Sequence, residues 1–93
     1  MKVLKIKDKI SDSELEFGIS EHTLNSVFRE STIKAFVRAT ITSIVTAEYL
    51  YCGACHYERL GSAEHLVFPE EEDHKSLLRE IDYRLNKAQF QII

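Results

Sequence analysis

The chain has 93 residues, 44% of them apolar and 29% charged, with one Pro, three Gly and a formal net charge of −3. That length supports one domain spanning residues 1–93 with a modest core, and the composition excludes a disordered or low-complexity chain. The acidic balance gives no electrostatic reason to expect tight binding to a phosphate backbone, so nucleic acid is not an expected partner.

The opening MKVLKIKDKI lacks the continuous apolar stretch of an export signal, and no apolar run reaches membrane-spanning length. A cytoplasmic protein without membrane contact is the expectation. Residues 2–10 alternate Leu4, Ile6 and Ile10 with Lys5, Lys7 and Lys9, the two-residue period of a half-buried strand. Leu15, Phe17 and Ile19 repeat that alternation over 14–19, and the polar stretch 8–13 joins the two as a hairpin. Ser20 is placed to cap a short helix that carries Leu24, Val27 and Phe28 on one side.

Residues 31–52 are rich in Thr, Ile and Val, which favours strand, but their spacing favours helix. Ile33, Phe36, Val37, Ile41, Ile44, Val45 and Tyr51 fall within about half of a helical wheel at ~100° per residue. A helix of five to six turns, roughly 30 Å long, is predicted. Gly53 and Gly61 punctuate the region after this helix, and EHLVF (64–68) reads as a short strand. Pro69 and the acidic run Glu70 to Asp73 open a second amphipathic helix whose apolar side is Leu77, Leu78, Ile81, Leu85 and Ala88. The tail, Phe90, Ile92 and Ile93, is apolar enough to dock as a last strand. Together these elements make an α+β fold, a small antiparallel sheet packed by a long central helix and a C-terminal amphipathic helix.

Cys52, Cys55 and His56 form a C-x-x-C-H spacing, which has four chemical meanings. Covalent haem attachment needs an exported chain and commonly a second axial ligand such as Met, and Met1 is the only methionine. A redox pair needs a helix N-terminus to lower the thiol pKa, whereas this pair falls at a predicted C-terminus. Zinc could draw on Cys52, Cys55, His56 and His65, although the spacing to His65 and His74 departs from the usual finger. The preferred reading is that both cysteines are small apolar residues continuing the face of the long helix, with no cofactor.

FGISEHTLNSVF, residues 17–28, resembles the turn and recognition helix of helix-turn-helix proteins of the LuxR type. Phe17, Gly18, Ile19, Ser20, Thr23, Leu24 and Val27 match that pattern, and the resemblance implies that Glu21, His22, Asn25 and Arg29 would read DNA. Upstream, Ser13 and Glu14 depart from it, and basic side chains for phosphate contacts are missing.

No phosphate-cradling glycine loop, H-E-x-x-H or G-x-S-x-G stretch is present, so an enzyme is not expected. Tyr49, Leu50, Tyr57 and Arg59 crowd together near the end of the long helix, and tyrosine and arginine are types enriched at protein-binding hot spots. The expected function is therefore regulatory or adaptor-like association with another protein, with homodimerisation through that segment.

Overall fold

The computed structural model describes residues 1–93. Strands β1 (Lys2–Lys7) and β2 (Glu14–Ile19) pair antiparallel, followed by a one-turn helix α1 (Glu21–Leu24) and the long helix α2 (Arg29–Tyr51). A second hairpin, β3 (His56–Leu60) and β4 (Ala63–Val67), precedes α3 (Glu71–Leu85) and the last strand β5 (Gln89–Ile92). The main sheet has the order β2-β1-β5, all antiparallel, and the β3–β4 hairpin stands apart from it. The predicted α+β architecture is the observed one. No helix is long and apolar enough to cross a membrane.

The alternation in β1 does what its period requires. Leu4 and Ile6 are fully buried, and on the other face Lys5 lies 3.6 Å from Glu14 and 3.4 Å from Glu16 of β2. The strand stops at Lys7, so Ile10 is not on its buried side as the alternation suggests; it lies exposed in the turn. The chain leaves the strand because the Asp8 amide donates to the Ser13 carbonyl, while its carboxylate accepts from the Ile10 amide, an Asx-type turn.

Helix α2 forms despite its β-branched content because an i, i+4 row, Ile33, Val37, Ile41, Val45 and Tyr49, packs along its length. Its N-terminal half meets the sheet through Leu4, Ile6, Ile19 and Ile33, with Phe17 and Phe36 rings 5.1 Å apart. Its C-terminal half meets α3 through Ile41, Val45, Leu77 and Ile81. Val37 touches both clusters, so one helix carries two small cores. Thr40, buried mid-helix, donates its hydroxyl to the Phe36 carbonyl at 2.8 Å, which removes the cost of an unpaired polar group.

Tyr51 departs from the predicted stripe and is 96% exposed, because the core row runs through Tyr49, and Tyr51, the last residue of the helix, lies about 200° round the axis from it. Helix α3 begins two residues later than expected, at Glu71, with Glu70 in an extended conformation at the N-cap and Pro69 before it. Leu77 and Ile81 are buried as predicted, whereas Leu78 lies half in solvent.

The molecule measures 43 × 33 × 20 Å, with a radius of gyration of 15.3 Å. A compact chain of this length would have a radius near ~12 Å. Its accessible surface is 6498 Å², about 1,000 Å² more than a folded monomer of 10.8 kDa usually shows. The excess comes from the flat layering and from the hairpin, whose β3 residues are all exposed.

Candidate functional site

The C-x-x-C-H stretch is a helix stop. Gly53 has φ +79°, the left-handed conformation that glycine adopts without cost, its amide donates to the Leu50 carbonyl, and the Ala54 amide donates to the Tyr49 carbonyl. These are the two crossed bonds of a Schellman motif, which satisfies carbonyls left open at the end of α2. Cys52 is the C-cap residue and is exposed, so it does not extend the apolar face; Cys55 is buried at 2% exposure, after the helix has ended.

His56 is exposed and lies 3.0 Å from Glu58, and His65 sits on the neighbouring strand opposite Glu58. No three or more His, Cys, Asp or Glu side chains converge in a way that could hold a metal ion, so Cys52, Cys55, His56 and His65 are not brought together. The two thiols differ in chemistry. Burial, with smaller contributions from Cys52 and Asp73, pushes the Cys55 thiol above its ordinary pKa, so little thiolate forms at neutral pH. Iodoacetamide is therefore expected to add one group to the native chain, at Cys52, and a second only after unfolding. Intact-mass and peptide analysis checks this, and rapid native labelling of Cys55 would contradict the assignment.

The helix-turn-helix arrangement is absent. Phe17 and Ile19 belong to strand β2, and α1 is a single turn capped by Ser20, whose hydroxyl accepts from the Thr23 amide at 3.1 Å. Glu21, His22 and Asn25 surround that turn, and Arg29 starts a different helix. Val27 and Phe28, expected to pack with Leu24, are exposed, Val27 by 92%. The physical reason lies in Ser26, whose hydroxyl accepts from the Phe28 amide and whose carbonyl accepts from Arg29, bending the chain into α2 before a second turn forms.

The tyrosine-rich segment divides. Tyr49 packs on the α2–α3 core and its hydroxyl bonds to Ser76 at 2.7 Å. Tyr57 and its cross-strand partner Leu66 face α2 across a groove lined also by Thr46 and Leu50. Arg59 is tied to Glu64 on the same hairpin at 3.3 Å. Gly61 at φ +63° followed by Ser62 gives the hairpin a two-residue turn of the II′ pattern.

One cluster has no signature in the sequence. Arg84, on the inner side of α3, donates two parallel bonds to Glu48 of α2 at 2.6 and 2.7 Å, one to Glu80 at 2.9 Å and one to Asp8 at 3.0 Å. Asp8 is fully buried and also accepts from Ser11, so its carboxylate is completely partnered. The paired bonds to Glu48 hold the guanidinium pKa above its ordinary value against the opposing effect of burial. Each carboxylate oxygen that faces the arginine is spoken for within the chain, which makes this a structural clasp between the turn after β1, α2 and α3.

Comparison with protein-family models, with curated proteins and with solved structures finds no match to this chain.

Proposed function

We propose that the chain is a non-enzymatic, cytoplasmic association module of regulatory or adaptor type, and that it pairs with a second copy through the outer side of α2 and the β3–β4 hairpin. The observation that carries this reading is the surplus surface. About 1,000 Å² beyond the usual monomer value is close to the ~800 Å² that each partner contributes to a standard interface.

The location of the surplus supports the same reading. Opposite the core row of α2 runs an exposed row without charge, Ser31, Ala35, Ala39, Ser43 and Ala47. Beside it the hairpin presents Tyr57 and Leu60, and Tyr51 projects from the helix end. A two-stranded hairpin is marginal in water by itself, and packing against a partner helix would cover it. The unpaired thiols of Cys52 and Cys55 suit a reducing compartment.

Sedimentation equilibrium tests the reading. The wild-type chain is expected to form a dimer, and Tyr57→Ala or Ala39→Glu to raise the dissociation constant at least about tenfold, with melting at high dilution unchanged. A wild-type chain that stays monomeric at millimolar concentration would reject it.

A further inference from the structure

We propose that the open edge of β5, beneath the basic side of α2, binds an extended acidic segment of another protein by strand addition. The main sheet has two open edges, and they differ. The β2 edge carries Glu14 and Glu16, charges that deter pairing, whereas β5 reads Gln, Phe, Gln, Ile without charge, proline or bulge.

Val3 and Ile93 exchange both backbone bonds, so alternation along the ladder turns the amides and carbonyls of Phe90 and Ile92 away from β1. Those groups point into solvent, ready for a further strand. Beside them lies a groove of about 380 Å³ with Ile33, Val37, Leu85 and Phe90 along its floor and Lys34 and Arg38 on its rim. It continues past Arg29 and Glu30, the one carboxylate along this stretch.

Charge then selects the occupant. In a chain of net charge −3, Lys5, Lys7, Arg59, Lys75, Arg79 and Arg84 are engaged in ion pairs; of the cations engaged in none, Lys2, Lys9 and Lys87 lie elsewhere, whereas Arg29, Lys34 and Arg38 line this groove together. An added strand sends alternate side chains toward α2, where short apolar ones meet the floor and carboxylates meet the cations above it. An extended segment whose α2-facing positions, every second residue, are apolar and acidic in turn satisfies the backbone edge, the floor and the rim together.

The proposal stands apart from self-association, because it uses a different row of α2 and a different sheet. The probe is a fluorescein-labelled peptide, Thr-Val-Thr-Glu-Thr-Val-Thr-Glu, titrated with the full chain by fluorescence polarisation. Three results are expected: saturable binding that weakens with salt; loss of at least about tenfold in affinity for the Lys34→Glu, Arg38→Glu double variant; and the same loss when the valines are N-methylated. The lysine counterpart of the peptide is expected not to bind, and Tyr57→Ala to bind like wild type. Thermal melting confirms that the double variant is folded. Absence of binding overturns the proposal, as does binding indifferent to N-methylation, which would mean an unspecific anion patch. Concentration-dependent assembly of the chain alone, abolished by the double variant, would instead place a second copy in the groove and overturn the proposed occupant.

Discussion

Replacing Arg84 by methionine is expected to cost about 3–5 kcal/mol and to lower the melting temperature by more than about 15 °C. Methionine keeps much of the volume and removes the charge, so the loss is electrostatic in origin. Glu48 and Glu80 are partly exposed and can turn to water when the guanidinium goes. Asp8 cannot, because it is fully buried 76 positions away in sequence and would retain only the Ser11 and Ile10 donors. An uncompensated buried carboxylate is the source of the cost.

The pH dependence identifies the group responsible. Burial alone would raise the Asp8 pKa, but the bonds from Ser11 and the Ile10 amide, with the charge of Arg84, together hold it below 3.8. A lowered pKa contributes stability that is complete above about pH 4 and is lost as the pH falls through the folded-state value. Without Arg84 the carboxyl takes up a proton at higher pH than in the wild type. The stability difference between the two proteins should therefore narrow on acidification from about pH 7 toward about pH 4, as read from urea titrations at each pH. The Asp8→Asn, Arg84→Met double variant should recover part of the loss, since it removes the stranded charge, keeps an Oδ1 acceptor for the Ile10 amide and turns an Nδ2 donor toward Ser11, whose hydroxyl can accept. A deficit that is constant with pH, or equal in the single and double variants, would assign the cost to lost packing of α3 instead.

This clasp also shows where a sequence ceases to be legible. Local periods are written in neighbouring residues, so the β1 alternation, the i, i+4 row of α2 and the acidic first turn of α3 can be read directly. The pairing of Asp8 with Arg84 is a property of the assembled fold, and each residue alone reads as an ordinary turn aspartate and a surface arginine. The β3–β4 hairpin is obscured for a different reason. HYERL has no apolar alternation because neither of its faces is buried, yet Gly61-Ser62 between two short runs is a hairpin signal that outweighs weak periodicity. Wheel position alone puts Tyr51 in the core, but the Schellman stop at Gly53 ends the helix before any neighbouring element can cover it. The same motif explains Cys52: the spacing that invites a metal or haem reading is set by the glycine between the cysteines.

Ile41→Ala is expected to cost about 3 kcal/mol, within the ~2–5 kcal/mol range for truncating a fully buried isoleucine. The site has little freedom to collapse, since Ile41 is enclosed by Val45, Leu77 and Ile81 on two helices whose separation is also fixed by the Arg84 bonds to Glu48. The more informative question is how far the damage spreads. The cluster of Ile41 and that of Leu4, Ile6, Ile19 and Ile33 share no buried residue, but they share α2, Val37 and the bridge from Asp8 through Arg84. Each cluster alone is too small to hold a folded unit in water, so the two should melt together. Urea unfolding of Ile41→Ala, followed both by far-ultraviolet circular dichroism and by tyrosine fluorescence, in which Tyr49 reports on the α2–α3 cluster, should give one midpoint shifted downward at unchanged slope. Two separated midpoints would mean that α3 detaches while the sheet and the first turns of α2 persist. In that case neither the shared helix nor the clasp, both retained in this variant, would suffice to make this small protein cooperative, and the packing of Ile41 against α3 would carry the coupling between the two clusters.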